Sequence, residues 1–253
     1  MRNIFFIFVL FFTSLVQAQS WKVVEGKIMS QWAKTVNPEK VWQEYPRPQF
    51  ERPQWKNLNG LWDYAILKTH QIQPQKFQGK ILVPFSFESP LSGVGKNINP
   101  EDKMWYRKSF EIPNNWSGKD VVLHFEAVDY HCAVWVNDVL VGTHKGGFDR
   151  FSFNITPYVK SGRRQKVVIA VEDGTNFSSQ PRGKQQINAS GIYYTPVSGI
   201  WQTVWLEAVS PEAYLKQVKT TTDIDNSTVS LIPMSNLTLI KGYQVAVAIF
   251  FDG

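Results

Sequence analysis

Most of the chain alternates hydrophobic and polar residues over short runs that turn-forming residues separate. The alternation is clear in LWDYAIL (61–67), MWYRKSFEIP (104–113) and VVLHFEAV (121–128), whereas KVVIAVED (166–173) is apolar on both faces. A period of two residues indicates a β-strand with one buried face, and a doubly apolar run is typical of a central strand. No stretch has a sustained helical period. The pattern therefore predicts an all-β fold, an antiparallel sandwich or jelly roll.

One pair of strands carries its own turn signal. CAVWVN (132–137) and VLVG (139–142) meet at Asn137-Asp138, a dipeptide that is typical of a tight turn between antiparallel strands. We therefore predict a β-hairpin here. A further apolar run, ILVPFSF (81–87), is interrupted by Pro84, which cannot donate a backbone hydrogen bond inside a sheet.

The N-terminus has a different pattern from the rest of the chain. Arg2 precedes a nine-residue apolar run (4–12), and Val16-Gln17-Ala18 has the small-x-small form of a cleavage site. Residues 1–18 are therefore predicted to be a signal peptide of an exported protein, periplasmic or secreted, with a buried N-terminal helix as the alternative. No later segment has the ~20 apolar residues that span a bilayer, so we expect no membrane partner after cleavage. Residues 19–41 form a lead-in with little periodicity.

The pattern also predicts a domain boundary near Ser210-Pro211. New β-type runs follow at 213–222, 227–232 and 243–251, but an immunoglobulin-like sandwich needs ~100 residues. The last apolar run leads into Asp252-Gly253, a favourable hairpin turn with no partner strand after it. We therefore expect residues 210–253 to be the start of a second sandwich in a longer protein.

The composition of the chain excludes several classes of protein and of binding site. Charged residues make up 19% of the chain and hydrophobic residues 43%, which excludes a disordered protein. The single cysteine, Cys132, excludes an internal disulfide and a cysteine-rich metal site, and the histidines at 124, 131 and 144 have no neighbouring ligands. The net charge is +6, but the basic residues are dispersed, so we expect no nucleic-acid partner. Ten tryptophans are typical of sheet cores or sugar-stacking faces; for Trp135, Trp201 and Trp205 the core is the favoured interpretation.

Six segments in order resemble the N-terminal sugar-binding domain of glycoside hydrolase family 2, the family of β-galactosidase-, β-glucuronidase- and β-mannosidase-like enzymes. They are WKNLNGLWDY (55–64), VPFSFESPLSGV (83–94), MWYRKSFEIP (104–113), VDYHCAVWVNDVLVGTHKGGFDRFSFNIT (128–156), VEDGTNFSSQPRGKQ (171–185) and YTPVSGIWQTVWLE (194–207). The resemblance implies a galactose-binding-like jelly roll over residues 42–209, then an immunoglobulin-like domain, then a (β/α)₈ barrel. It also implies that the catalytic acid/base and nucleophile are glutamates of that barrel.

This chain is therefore expected to hold no catalytic residue. Glu88, Glu126, Glu172 and Glu207 are not assigned that role, and Glu126 and Glu172 are expected to be strand residues that point to solvent. A retaining glycosidase acting on terminal β-linked carbohydrate is the implied function of the complete protein. The alternatives are a stand-alone carbohydrate-binding module and a purely structural sandwich.

One loop carries the candidate substrate-binding residues. The resemblance assigns Asp173 to a D-G turn whose carboxylate reaches the sugar pocket, where it could accept hydrogen bonds from two hydroxyls or help hold a cation in the complete enzyme. The alternative is a turn residue that only caps its own backbone. Arg182 and Lys184 follow on the same loop and could bind hydroxyls or an acidic sugar's carboxylate, or simply be solvated. We expect no other cofactor, and we expect Asp173→Asn to leave the melting temperature nearly unchanged.

Overall fold

The computed structural model describes residues 21–47, 49–50, 52–237 and 242–248. Its main body contains β1 (Trp55–Asn57), β2 (Gly60–Lys68), β3 (Gly79–Val83), β4 (Asp102–Phe110), β5 (Asp120–Phe125), β6 (Val128–Asp129), β7 (His131–Val136), β8 (Val139–Lys145), β9 (Phe151–Asn154), β10 (Gln165–Glu172), β11 (Gly199–Ile200) and β12 (Val204–Val209). Two further strands follow, β13 (Leu215–Asp223) and β14 (Thr228–Ser235). The helical segments of the described ranges are short 3₁₀ turns at Gln31–Thr35, Pro90–Ser92, Asn114–Trp116, Thr156–Tyr158 and Thr175–Phe177.

The strands of the main body form a two-layer sandwich. One layer is a six-stranded sheet in the order β3-β2-β4-β10-β7-β8, and the other is a four-stranded sheet in the order β1-β12-β5-β9. A small two-stranded sheet pairs β6 with β11. All of these strand pairs are antiparallel. The prediction of an all-β sandwich is therefore confirmed.

Alternating side chains of each sheet fill the space between the layers. Along β10, Val167, Ile169 and Val171 point into the main core, whereas Val168 and Ala170 pack on the outer face of the sheet. The opposite layer contributes its own alternating apolar residues from β5 and β12 to the main core. This is the arrangement that the doubly apolar run predicts, because β10 lies between β4 and β7 and is covered on both faces.

The hairpin between β7 and β8 also forms as its turn residues predict. Asn137 and Asp138 have φ angles of +50° and +71°, which is the left-handed pair of a type I′ turn. The Asn137 side chain secures the turn, because its Nδ2 donates to the Tyr158 carbonyl oxygen at 2.8 Å and its Oδ1 accepts from the Lys166 amide at 3.0 Å.

A buried glutamate fastens the segment just before β1, between residues 45 and 52, to the sandwich. Glu207 of β12 is 3% exposed, and it accepts hydrogen bonds from Arg52 at 2.8 Å, from Tyr45 at 3.1 Å and from His124 at 3.0 Å. Arg47 donates to the other ring nitrogen of His124 at 3.3 Å. We call these five residues the Glu207 network.

The last two described strands form a separate hairpin. β13 pairs only with β14 in a two-stranded sheet, and Arg47 and Arg52 of the network donate to its Lys216 and Leu215 carbonyl oxygens. The predicted strand over 243–251 is not found in residues 243–248, and its last residues lie outside the described ranges. The predicted signal peptide lies outside them as well. In the part of the chain that the structure describes, no helix is long and apolar enough to cross a membrane.

Candidate functional site

Asp173 lies directly after β10, at one end of the sandwich, and is only 1% exposed. Its Oδ1 accepts from the Thr175 backbone amide at 2.7 Å and from Gln180 Nε2 at 2.6 Å. Its Oδ2 accepts from the Ser198 hydroxyl at 2.6 Å and from the Thr175 hydroxyl at 3.3 Å. Asp173 therefore caps its own turn, as the alternative interpretation states, and also ties that turn to two other segments.

These four contacts change one expectation. A carboxylate offers about four acceptor positions, and here donors of the same chain fill them. Asp173→Asn would place an amide N–H₂ group against donors in a buried site, which costs about 1–3 kcal/mol. With these contacts on Asp173, we now expect this substitution to lower the melting temperature rather than leave it unchanged.

Ser198 connects Asp173 to a second buried carboxylate. Ser198 is fully buried, and its backbone amide donates to Glu88 Oε2 at 3.0 Å while its hydroxyl donates to Asp173. Glu88 follows β3, is 3% exposed, and its Oε1 has no hydrogen-bond partner among the described residues. Two carboxylates distant in sequence thus meet on either side of one serine.

Asp129 of β6 is the third member of this group. It is 2% exposed, and its Oδ1 also has no hydrogen-bond partner within the described ranges. A Cβ atom at Gly147 would lie 2.6 Å from that oxygen, so only glycine lets the backbone approach the carboxylate this closely. The turn at Gly146-Gly147 therefore packs its backbone directly against the Asp129 carboxylate. We call Glu88, Asp129, Asp173 and Ser198 the acidic cluster.

Burial destabilises the charged forms of two carboxylates in the acidic cluster, Glu88 and Asp129. Burial raises the pKa of Glu88 to about 7, although hydrogen bonds from Ser198 oppose the increase. Burial also raises the pKa of Asp129 to about 7, and the nearby carboxylates of Asp173 and Glu88 add to this effect. Both groups therefore exchange protons near neutral pH. Among the described residues, no group of three or more acidic, histidine or cysteine side chains has the arrangement of a metal site.

A small cavity opens beside Asp173. It encloses about 240 Å³, and Tyr130, Lys145, Glu172 and Gln180 are among the residues that line it. The ammonium group of Lys145 lies 5.9 Å from the centre of the Tyr130 ring. The cavity thus combines a cation, an aromatic ring and hydrogen-bonding side chains, which is a set of groups that can bind a small polar ligand.

The other two candidate residues lie on the loop after this cavity. Arg182 is half-buried, and its Nη1 donates to the Gln185 carbonyl oxygen at 2.8 Å. Lys184 is exposed, and its carbonyl oxygen accepts from the Tyr194 amide at 2.9 Å. Neither side chain is among those that line the cavity beside Asp173. Their assignment to substrate binding stays a prediction.

The structure corrects the prediction for one carboxylate, Glu126, and shows the surroundings of two of the three tryptophans. The side chain of Glu126 is only 12% exposed and accepts from Trp205 Nε1 at 3.0 Å, so the prediction that it points to solvent is wrong. Glu172 is 41% exposed and pairs with Lys103 at 2.7 Å. Trp205 is fully buried. Trp135 is half-buried and stacks on Trp105.

Sequence reasoning missed Glu88 and Asp129. Each lies among apolar residues, Glu88 in FSFESP (85–90) and Asp129, together with Glu126, in FEAVDY (125–130). A charge in such a position is unusual unless it has partners. That signal marks a residue for attention, but only the fold shows that Glu88 and Asp129 both lie near Asp173.

Comparison with known proteins decides the family. The profile of "Glycosyl hydrolases family 2, sugar binding domain" matches residues 55–208, which is more than half of the chain. The chain belongs to glycosyl hydrolase family 2. The match covers the whole two-layer sandwich from β1 to β12, so the family 2 sugar-binding domain and the sandwich coincide.

Curated relatives of the family 2 domain carry two enzyme names. The chain is 31% identical over 142 residues to a β-galactosidase of Thermoanaerobacter pseudethanolicus, covering 56% of this chain and 18% of that protein. It is 28% identical over 216 residues to a β-glucuronidase of Sus scrofa, covering 73% of this chain and 32% of that protein. The chain thus spans less than a third of the length of each of these relatives.

Solved structures show the same fold. A β-glucuronidase of Faecalibacterium prausnitzii superposes with a TM-score of 0.57 at 22% identity, covering 77% of this chain and 37% of that one. A β-D-glucuronidase of Dictyoglomus thermophilum gives a TM-score of 0.56 at 23% identity, with coverages of 76% and 34%. At this level of identity the likeness establishes the sandwich fold alone.

Proposed function

We propose that this chain is the N-terminal, non-catalytic portion of an exported, retaining family 2 glycosidase that acts on terminal β-linked sugars. The observation that carries the proposal is the match of the family 2 sugar-binding profile to the whole sandwich. Relatives named β-galactosidase and β-glucuronidase support the substrate class. Export rests on the apolar run and cleavage pattern of residues 1–18.

The geometry of the acidic cluster supports a non-catalytic role. Retaining glycosidases place two carboxyl groups about 5–5.5 Å apart on either side of a sugar ring. Glu88, Asp129 and Asp173 are each at most 3% exposed, so no ring can enter between any two of them. Asp173 alone of the three lines the described cavity, and in this proposal the paired catalytic groups belong to another part of the complete polypeptide.

Asp173 is the proposed contact between this chain and the sugar. Its Oδ1 shares a hydrogen bond with Gln180, a half-buried residue that also lines the cavity. A sugar hydroxyl that displaced the Gln180 amide would find the carboxylate already oriented by Thr175 and Ser198. Arg182 and Lys184 lie on the following loop, outside the lining of this cavity, and we keep them as proposed partners for the hydroxyls or the carboxylate of an acidic sugar.

The decisive experiment compares the complete polypeptide with residues 19–253 on aryl β-galactoside, β-glucuronide and β-mannoside. We expect turnover by the complete polypeptide and none by the shorter chain. Activity of residues 19–253 that a carboxylate substitution abolishes would contradict the non-catalytic role. Sugar binding by the complete polypeptide without turnover of any β-glycoside would favour a binding module instead.

The role of Asp173 needs a control for stability. In the complete enzyme, Asp173→Asn should lower kcat/KM by about tenfold or more, since a charge-assisted hydrogen bond is lost. Asp63→Asn is the matched control, because Asp63 pairs with Lys80 at 2.6 Å and Arg107 at 2.9 Å on the six-stranded sheet, away from the cavity. Equal kinetic losses in the two variants, measured well below both melting temperatures, would return Asp173 to a purely structural role.

A further inference from the structure

A second cleft lies at the opposite end of the sandwich from the acidic cluster. It is formed by the turn between β4 and β5 (111–119) and the connection between β9 and β10 (155–164), and it encloses about 540 Å³. β10 starts at Gln165 beside this cleft and ends at Glu172 beside Asp173. Eight extended residues span about 25 Å, so the length of the sheet separates this cleft from the candidate sugar site.

Basic side chains dominate this cleft. Four exposed cations line it, and none of them forms an ion pair with any described residue: Lys119, Lys160, Arg163 and Arg164. Glu111 also lines the cleft. Asp120, next to Lys119, accepts a hydrogen bond from Asn154 at 2.8 Å. On the six-stranded sheet, by contrast, Lys80 and Lys103 each contact a carboxylate. The cleft therefore concentrates uncompensated positive charge.

The loop that carries three of these cations is held in place from within. Gln165 is 1% exposed, and its side chain accepts from the Lys160 amide at 2.9 Å and donates to the Lys160 carbonyl oxygen at 2.8 Å. It also donates to the Arg163 carbonyl oxygen and accepts from Asn137 at 2.7 Å. Because the loop backbone is fixed before any ligand arrives, less conformational entropy is lost on binding.

We propose that this basic cleft binds an anionic polysaccharide, a chain that carries carboxylate or sulfate groups, at the end of the sandwich opposite the acidic cluster. Cations offer charge-assisted hydrogen bonds to either anion, and Asn114, Ser117 and Ser161 supply amide and hydroxyl groups for the neutral positions of a sugar chain. The site does not depend on glycosidase activity.

The lining argues for a glycan rather than a nucleic acid. Proteins that bind single-stranded nucleic acid stack its bases on exposed aromatic rings. The aromatic residue among the described lining residues, Trp116, is 3% exposed and packs in the main core. The cleft therefore offers charge and hydrogen-bonding groups but no stacking face.

Affinity electrophoresis of the full chain in polygalacturonate, dextran sulfate and neutral dextran tests the proposal. Lys160→Gln/Arg163→Gln/Arg164→Gln should weaken binding to an anionic polymer by about tenfold. The matched control is Lys76→Gln/Lys216→Gln/Lys219→Gln, which removes the same charge from exposed positions outside the cleft and should change binding by less than about twofold. All six positions are exposed, so both variants should keep the wild-type melting temperature.

The polymers also separate the two sources of negative charge. Cleft-dependent retardation by polygalacturonate alone assigns a carboxylate glycan, and retardation by dextran sulfate alone assigns a sulfated one. Equal losses in the cleft and control variants would overturn the proposal, since binding would then follow net charge. A single-stranded DNA oligonucleotide that binds more tightly than both polymers would overturn it as well.

Discussion

Glu207 and Glu88 are both buried glutamates of one sandwich, each 3% exposed, but their surroundings differ. Both oxygens of Glu207 accept hydrogen bonds, and a guanidinium supplies one of them. Glu88 has one backbone donor, an oxygen without a partner among the described residues, and another carboxylate nearby. Burial works to raise the pKa in both sites. At Glu207 the contacts with His124 and Arg52 outweigh burial and lower the pKa to about 2, whereas at Glu88 the pKa rises to about 7.

The neutral form of His124 explains how the Glu207 network is satisfied. Burial lowers the pKa of His124, so the ring is uncharged at neutral pH and carries one N–H. Nε2–H donates to Glu207 and Nδ1 accepts from Arg47, which assigns the tautomer from its partners. The charge that faces Glu207 is then that of Arg52. The comparison separates two kinds of buried carboxylate. The charged form of Glu207 is stabilised by its partners in the fold, whereas burial destabilises the charged forms of Glu88 and Asp129.

Removing Glu207 should have the largest effect on stability. Glu207→Ala leaves the Arg52 guanidinium and the His124 ring without their shared acceptor, and breaking a buried pair in this way costs about 4 kcal/mol. Urea unfolding at pH 7 measures the loss. Because the pKa of Glu207 is lowered in the fold, its contribution is complete above the unfolded value and is lost as the pH falls toward 2. The curves of wild type and variant should therefore converge at acidic pH.

Glu101→Ala is the control for this first experiment. The side chain of Glu101 is 63% exposed and pairs with Lys68 at 3.2 Å, so its removal should cost less than about 0.5 kcal/mol. If Glu207→Ala proved no more costly than Glu101→Ala, the network would not be a stabilising element and the comparison would fail.

Local pattern predicted most of the strands but not the two edges of the four-stranded sheet. The runs over 61–67, 104–113 and 166–173 became β2, β4 and β10, since each is long enough to show its period. β1 and β9 are three and four residues long, too short for a pattern to separate them from loops. They become strands because β12 and β5 offer them hydrogen-bonding partners, which is information that no local window contains.

Raising the pH should weaken the fold through the acidic cluster. The pKa values of Glu88 and Asp129 are about 7 in the fold and about 4 in an unfolded chain. Their protonated forms therefore contribute stability that is complete below about pH 4 and is lost as the pH rises through about 7. Relative to Glu88→Gln/Asp129→Asn, the wild type should lose about 1 kcal/mol per pH unit across this window, for a total of about 3 kcal/mol over its three units.

Thermal unfolding of both proteins from pH 4.5 to pH 8 measures this difference. Glu101→Gln/Asp225→Asn, at two exposed positions, controls for the change in net charge and should run parallel to the wild type. Parallel curves for the cluster variant as well would show that Glu88 and Asp129 titrate normally, and the contrast with Glu207 would disappear.

The sequence selects candidate site residues only where one segment carries them. Asp173, Arg182 and Lys184 share one loop, so a motif in a single stretch is enough to select them. The acidic cluster joins residues 88, 129, 173 and 198, which four separate segments bring together. Its chemistry arises from burial and from the meeting of like charges, and these are properties of the folded chain rather than of any one motif.

The smallest effect is expected from Ser198→Ala, which tests whether the serine is what keeps Asp173 and Glu88 in one site. The substitution removes the hydroxyl that donates to Asp173 Oδ2 at 2.6 Å but keeps the backbone amide that donates to Glu88. One buried carboxylate oxygen loses its shortest contact, and the Thr175 hydroxyl at 3.3 Å replaces it only in part, so the expected loss is about 1–2 kcal/mol. Ser178→Ala is the matched control, because Ser178 is exposed and its hydroxyl donates to Gln180 rather than to a carboxylate; it should change stability by less than about 0.5 kcal/mol. Chemical denaturation of both variants at pH 6 and pH 8 completes the test. A Ser198→Ala protein as stable as Ser178→Ala at both pH values would mean that the two carboxylates tolerate each other without the serine between them.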